Sequence, residues 1–335
     1  MNYKPSLNSK LRRALVMAGM GTAAGGALSL ARAQTQTYPS KPIRWVVGFS
    51  AGGGLDFVAR LLGDSISKQL GQPVVVDNRP GAAGMIAANN AATSPPDGYT
   101  LVTLDVGAYA LNPNLYKNVS YNPTRDFEII GLQVTIPTVL CVNATLPVNN
   151  LAEFIAYVKS KPPGSVSYAS TGVGGAGHVA MELLMDKAKL DMTHVPYKGI
   201  QAALTDVMGG QVQAVFSDPG SSMPHVKAGK LKALAVAMSK RLESYPELPT
   251  FMDFGYDFQI PVWVALATKA GTPRTIIDRL NAALLTALKD PEIAKKLVAV
   301  GFSISLWSPD EANAFAKRQL ADWTTFLKPR NIKLD

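Results

Sequence analysis

After Pro42 the chain alternates short apolar runs of strand length with stretches whose apolar residues recur at helical spacing, which confines it to an α/β sheet architecture. The strand-like runs fall at 43–49, 74–77, 99–104, 129–134, 139–142, 166–169, 193–197, 214–217, 233–237, 262–268 and 302–306. Helical stretches are expected at 55–70, 151–159, 178–187, 201–208, 274–288 and 310–327. The last opens with Ser308-Pro309-Asp310-Glu311, a Ser N-cap, a first-turn Pro and acids at the positive helix end. A length of 335 residues with 47% apolar and 17% charged residues gives material for two cores. No low-complexity linker divides the chain, so crossings between two lobes are sought in the strands, at 135–139 and 258–264. They would give a first lobe of residues 34–138 plus 263–335 and a second of 139–262, with a ligand cleft between.

Two glycine-rich turns each join a strand to a helix. Phe49-Ser50-Ala51-Gly52-Gly53-Gly54 leads into Leu55-Asp56, and Ser170-Thr171-Gly172-Val173-Gly174-Gly175-Ala176-Gly177 leads into His178. A helix start carries several unpaired N–H donors and about half a positive charge, which suits a phosphate, sulfate or carboxylate. Ligands of such sheets bind beyond the carboxyl ends of the strands, so both turns should open onto the cleft and grip one anion together. Asp218 follows a strand and precedes Pro219-Gly220, placing a carboxylate near the same cleft, as a ligand contact or a helix N-cap. Asp56, in the first turn of its helix, has the same two readings.

The first residues form a separate signal. Lys4, Lys10, Arg12 and Arg13 precede a weakly apolar run that ends in Ala31-Arg32-Ala33, the order of a secretory signal peptide over 1–33. The run is too rich in small residues for a membrane anchor, and Arg12-Arg13 leaves the general and twin-arginine routes open. Cleavage lowers the net charge from +9 to +4, a mild bias toward small anions. Without a basic patch interleaved with aromatics, nucleic acid is not an expected partner. Cys141 is the only cysteine, within a strand, so a buried bystander thiol is expected rather than a disulfide.

Three catalytic or cofactor patterns compete with an anion cradle. Gly172-Val173-Gly174-Gly175-Ala176-Gly177 fits the dinucleotide fingerprint, but Asp191 precedes the next strand instead of ending it, so the ribose contact is missing. His178 and Glu182 share a helix face at metal-ligand spacing without a third ligand, leaving His178 to line the helix start and Glu182 to face solvent. A secreted hydrolase using Ser170 and His178 lacks both the nucleophile-elbow pattern and an orienting acid. No cofactor and no metal are expected.

Several long segments together resemble the Bug family of periplasmic solute-binding proteins. They include Phe49 through Asp56, Asn78-Arg79-Pro80-Gly81-Ala82, Pro96-Asp97-Gly98-Tyr99-Thr100-Leu101, His194-Val195-Pro196-Tyr197-Lys198-Gly199 and Pro224 through Leu231. The resemblance runs through the whole mature chain and implies a two-lobed type II periplasmic binding fold closing on a small organic carboxylate, a di- or tricarboxylate or an aromatic acid. It further implies a monomeric, non-enzymatic receptor in the periplasm that delivers its ligand to the membrane permease subunits of a tripartite tricarboxylate transporter; a sensor for a membrane kinase would use the same cleft. By resemblance the loop contacts are Ser50, Ala51, Gly52, Gly53, Ser170, Thr171, Gly172 and Gly174, with His178 at the helix start, Asp218 distal, and Asp105 and Tyr109 lining the cleft after the third strand. Members of the family commonly carry Pro at Ser50 or Ala51, a small polar residue at Leu55, Asn at Met85 and Pro at Ala202. Leu55 and Met85 would therefore shift the cleft toward aliphatic or aromatic acids.

Overall fold

The computed structural model describes residues 38–328; the expected export segment lies outside them. Among the described residues eleven strands form two sheets: β1 Ile43–Val47, β2 Val74–Asn78, β3 Thr100–Asp105, β4 Phe127–Ile136, β5 Val139–Asn143, β6 Ser167–Ser170, β7 Thr193–Pro196, β8 Ala214–Ser217, β9 Leu231–Val236, β10 Val262–Lys269 and β11 Ser303–Ile304. The first sheet has the order β11-β4-β10-β3-β1-β2 and the second β7-β6-β8-β5-β9. In each, three parallel strands are extended by antiparallel ones: β10 pairs antiparallel with β3 and β4, and β5 with β8 and β9. Strands β3 and β10 are buried on both faces almost throughout, as strands covered by helices on both sides must be.

The main helices are α1 Gly54–Leu70, α2 Met85–Ala92, α3 Leu151–Lys159, α4 Ala176–Ala188, α5 Ile200–Met208, α6 Pro219–Lys227, α7 Arg274–Lys289, α8 Pro291–Ala299 and α9 Pro309–Leu327. Helix α1 buries Val58, Ala59, Leu62 and Ile66 at i, i+1, i+4 and i+8, one apolar stripe, and stops at Gly71, which takes the left-handed conformation and returns its N–H to Ser67 O. The α9 start is a full capping box: the Ser308 hydroxyl accepts from Glu311 N while Glu311 Oε2 accepts from Ser308 N. Helices α2, α6 and α8 are additions to the pattern expected from sequence. Helix α2 is alanine-rich with no period, and α6 carries Pro224 inside it, so neither announces itself. The helical stretch 107–115 following β3 starts as a π-helix and is likewise invisible to a 3.6-residue period.

The chain crosses between the sheets twice, from β4 to β5 and from β9 to β10. These segments are tied to each other: Ala237 N donates to Thr138 O at 2.8 Å, Ile260 N to Ala237 O at 3.0 Å, and Thr138 Oγ1 to Ile260 O at 3.2 Å. Two lobes thus share a hinge whose backbone is hydrogen-bonded to itself. Cys141 is buried in β5 with its thiol pushed up to about 12 by burial, an inert packing residue.

Removing the α9 cap tests the helix termini. Ser308→Ala should lower the unfolding free energy by about 1 kcal/mol, read as a lower urea midpoint with an unchanged m value.

Candidate ligand site between the lobes

A cavity opens where the two sheets meet, and both glycine turns line it. The first contributes Phe49, Ser50, Gly53, Gly54 and Leu55, and the second Thr171, Ala176 and Gly177. The far walls are apolar, built by Ile136 and Val262 from the crossing strands and by Ile200 and Phe216 from the second lobe. Among the described residues no Lys, Arg or His lines it, while two acids, Asp105 and Asp218, do.

With no cationic side chain in the lining among the described residues, the helix ends are the groups there that offer partial positive charge. Helices α1, α4 and α5 begin after Gly53, Gly175 and Gly199, none of which supplies a side-chain cap. Their first turns reach the cavity through Gly54, Leu55, Ala176, Gly177 and Ile200. Elsewhere, α3, α8 and α9 are capped by Asn150, Asp290 and Ser308 and α2 and α7 begin after Gly84 and Pro273 without a side-chain cap, while α6 at the cavity is capped by Asp218. A glycine before the helix leaves the first-turn donors for another partner, an arrangement that suits a small anion without a salt bridge.

Several turn donors are committed to holding the turns in shape. Asp56, only 4% exposed, accepts from Gly52 N at 3.0 Å, Arg60 Nε at 3.0 Å and Asn78 Nδ2 at 2.8 Å. Burial works against its ionisation, yet these donors outweigh it and the carboxyl sits below its ordinary range. In the second turn, Gly172 N donates to Ser170 Oγ and Gly174 N to His178 Nδ1. Of the residues expected at the site, Ser50, Gly53, Asp105, Thr171 and Asp218 line the cavity; Ala51, Gly52, Asp56, Tyr109, Ser170, Gly172, Gly174 and His178 stand outside its lining. Tyr109 packs edge-on against Trp263 in the first lobe, 2% exposed. Leu55 reaches the cavity and Met85 does not. Sequence reasoning placed Ala176 and Gly177 in the second turn without naming them as contacts, and missed Ile200, Phe216, Ser217 and the hinge residues Ile136, Thr138 and Val262; the crossing segments it proposed were the available signal for the last three.

The lobes touch across the cleft. Gln201 Nε2 donates to Gly52 O at 2.7 Å, Tyr116 Oη to Val173 O at 2.8 Å and Ser50 Oγ to Lys198 O at 3.2 Å. The second turn packs on the Gly81–Gly84 loop as well as facing the first turn: at Gly172, with φ of +130°, a Cβ would come within 3.1 Å of Ala83 N. Asp218 bridges too, since its carboxylate caps α6 through Ser221 N at 2.8 Å and also accepts from Gly54 N at the start of α1.

Behind the second turn lies a stack of three rings, Tyr168, His194 and His178, with the histidine centroids 4.2 Å apart. Ser170 Oγ pairs with His194 Nε2 at 2.7 Å, not with His178 as the hydrolase reading required. The solvent-facing role expected of Glu182 is corrected as well: its Oε1 accepts from Tyr168 Oη at 2.7 Å and lies 3.6 Å from His178 Nε2, so it anchors the stack. Gly174 N donating to His178 Nδ1 puts the histidine proton on Nε2, toward Glu182. Burial lowers His178 to about 3, with its neighbour His194 adding to the effect, and lowers His194 to about 4. Among the described residues no group of three metal-ligating side chains occurs.

Both histidines are neutral when folded, and an unfolded histidine titrates near 6.5. Below that pH the unfolded chain takes up protons the folded one refuses, so their contribution to stability is full above pH 6.5 and lost as pH falls toward 4. Asp105, raised by burial to about 6, acts in the opposite direction over the same range. The difference between wild type and His178→Asn isolates the histidine: wild type should lose stability more steeply from pH 6.5 to 4, by at most about 1.4 kcal/mol per pH unit. Equal slopes in thermal melts would mean His178 ionises in the folded chain.

Residues 58–332 match the family model of the tripartite tricarboxylate transporter family receptor, TctC. The structure of the periplasmic binding protein BugD is 33% identical, with a TM-score of 0.85 over 88% of this chain and 99% of that one. A Rhodopseudomonas palustris protein solved with adipate is 31% identical at a TM-score of 0.83, over 87% of this chain and 97% of its own. MatC from Rhodopseudomonas palustris, with bound malate, is 31% identical at a TM-score of 0.82 over 86% and 99%. The uncapped helix starts facing a cleft between two α/β lobes, and these likenesses along nearly the full length, make the chain a Bug-type member of the tripartite tricarboxylate transporter receptor family.

Proposed function

We propose that the chain is a periplasmic receptor that captures a small organic carboxylate by closing its lobes and delivers it to the permease of a tripartite tricarboxylate transporter. The observation that carries this reading is the convergence of uncapped helix starts from both lobes on one cavity that, among the described residues, has no cationic side chain. The carboxylate would meet Thr171 and the first-turn N–H groups of α1 and α4, and the apolar walls would hold its carbon chain. Relatives solved with adipate and malate are in keeping with such a ligand.

Residues 34–138 with 263–335 would move as one lobe against 139–262, because the sheet changes between β4 and β5 and again between β9 and β10. Export would remove residues 1–33. Both cavity walls come from one chain, so a monomer suffices. A binding role fits the chemistry better than hydrolysis. Ser170 is fully buried, its hydroxyl is occupied by His194 and Gly172, and among the described residues no carboxylate is bonded to His194 to orient it.

A thermal-shift panel of carboxylic acids tests the reading: a true ligand at 100 times its Kd should stabilise the fold by about 2.7 kcal/mol. A flat response to all of them would remove its support. Gln201→Ala lies outside the cavity lining but deletes a closure contact, so it should weaken the best ligand about 2- to 10-fold by calorimetry, the worth of one neutral hydrogen bond.

A further inference from the structure

A second cavity, of about 420 Å³, lies beside the crossing into β10 and shares no lining residue with the cleft. One stripe of α9 on the first lobe forms one wall, with Gln319, Asp322, Trp323 and Phe326 at i, i+3, i+4 and i+7. The opposite side comes from the second lobe, through Leu183 of α4 and the segment that carries Asp257 and Phe258. Leu183 and Phe258 are buried and give the cavity an apolar floor. Its size and its mixture of apolar wall and few polar groups are those of a small-molecule site.

The aromatic wall is shaped for a cation. The Trp323 and Phe326 rings stand 5.4 Å apart between centroids with their planes at 84°, so two ring faces meet at one corner. A ring face is the negative side of the aromatic quadrupole, and tryptophan attracts a cation most strongly. The charged groups agree with the rings. Asp257 and Asp322 line the cavity, and among the described residues no Lys, Arg or His does, although the chain as a whole is basic at +9. Neither acid forms an ion pair among the described residues, and Arg318, one turn before Asp322, is not paired with it. Asp322 lies toward the end of α9, where an acid gains nothing from the helix dipole. Local stability therefore does not account for it, and a small anion of the kind suited to the cleft would be repelled here.

We infer that this cavity is a second ligand site, for a small organic cation: an ammonium on an aromatic or aliphatic body. The charge sits against the Trp323 and Phe326 rings in the field of the lining acids, and the body lies on Leu183 and Phe258. The site is separate from the anion cleft and stands whether or not the receptor reading does.

Calorimetry with cations and neutral molecules of matched shape tests it. Phenethylammonium is compared with 2-phenylethanol, and choline with 3,3-dimethylbutan-1-ol, on wild type, Trp323→Leu and the double variant Asp257→Asn/Asp322→Asn. The three positions are exposed or half-buried, and unchanged urea midpoints verify that the variants fold. At least one cation should bind wild type about 3- to 30-fold tighter than its neutral match, the worth of a cation–π contact. That preference should fall to near parity in Trp323→Leu and shrink in the double variant. Binding by neither cation, equal affinity for cation and alcohol, or a preference that persists in both variants overturns the inference. A lysine-bearing tripeptide that binds tighter than the free amines assigns the cavity to a protein partner and overturns it as well.

Discussion

The site depends on backbone N–H groups at helix starts that their own N-cap residues do not satisfy. Most helices close their first turn with a Ser, Asn or Asp side chain, and α3, α6, α8 and α9 do so here. At α1, α4 and α5 a glycine occupies that position and supplies no side-chain cap, so the first-turn donors are left to partners from outside the helix. For Gly54 the cost of a bare donor is offset by Asp218 across the cleft; in the proposed receptor a bound anion would meet the remaining donors.

Donors aimed at a ligand are useful only if the turns that carry them are rigid. Asp56 supplies this in the first turn by collecting Gly52 N, Arg60 and Asn78, a buried carboxylate employed as a brace. The second turn is braced from below by neutral rings, with Ser170 and His178 taking up Gly172 N and Gly174 N. The two solutions differ in their sensitivity to acid. Asp56 sits below the ordinary carboxylate range and keeps its charge, whereas the histidine brace works only while the rings stay neutral.

Much of the fold was legible because the period of the apolar residues changed cleanly between strand and helix, and each of the expected strands appears, with ends shifted by a few residues. What escaped were elements without a period: Ala-rich α2, Pro-containing α6 and the π-helical stretch after β3. The glycine turns were legible as anion sites, but not which of their N–H groups would be free. That depends on side-chain acceptors such as Asp56 and His178, which are held by distant partners as well as local ones: Asn78 on β2 bonds Asp56 from 22 residues away, and the His194 ring stacks on His178. The pairing of Ser170 with His194 was hidden for the same reason, since parallel β6 and β7 lie 24 residues apart at that point.

A cleft of this design also has a route to release. A salt bridge would keep one end of the ligand anchored to one lobe after opening, because the cation travels with the side chain. Here the donors are divided between α1 on one lobe and α4 and α5 on the other, and the hinge is held by only a few backbone bonds around Thr138, Ala237 and Ile260. In the proposed receptor, rotation at that hinge would separate Gln201 from Gly52 and Tyr116 from Val173, and would part the α1 donors from those of α4 and α5 in the same motion. Under the proposed receptor reading, capture and release would then differ by one rigid-body step, and a partner that favours the open form would discharge the ligand.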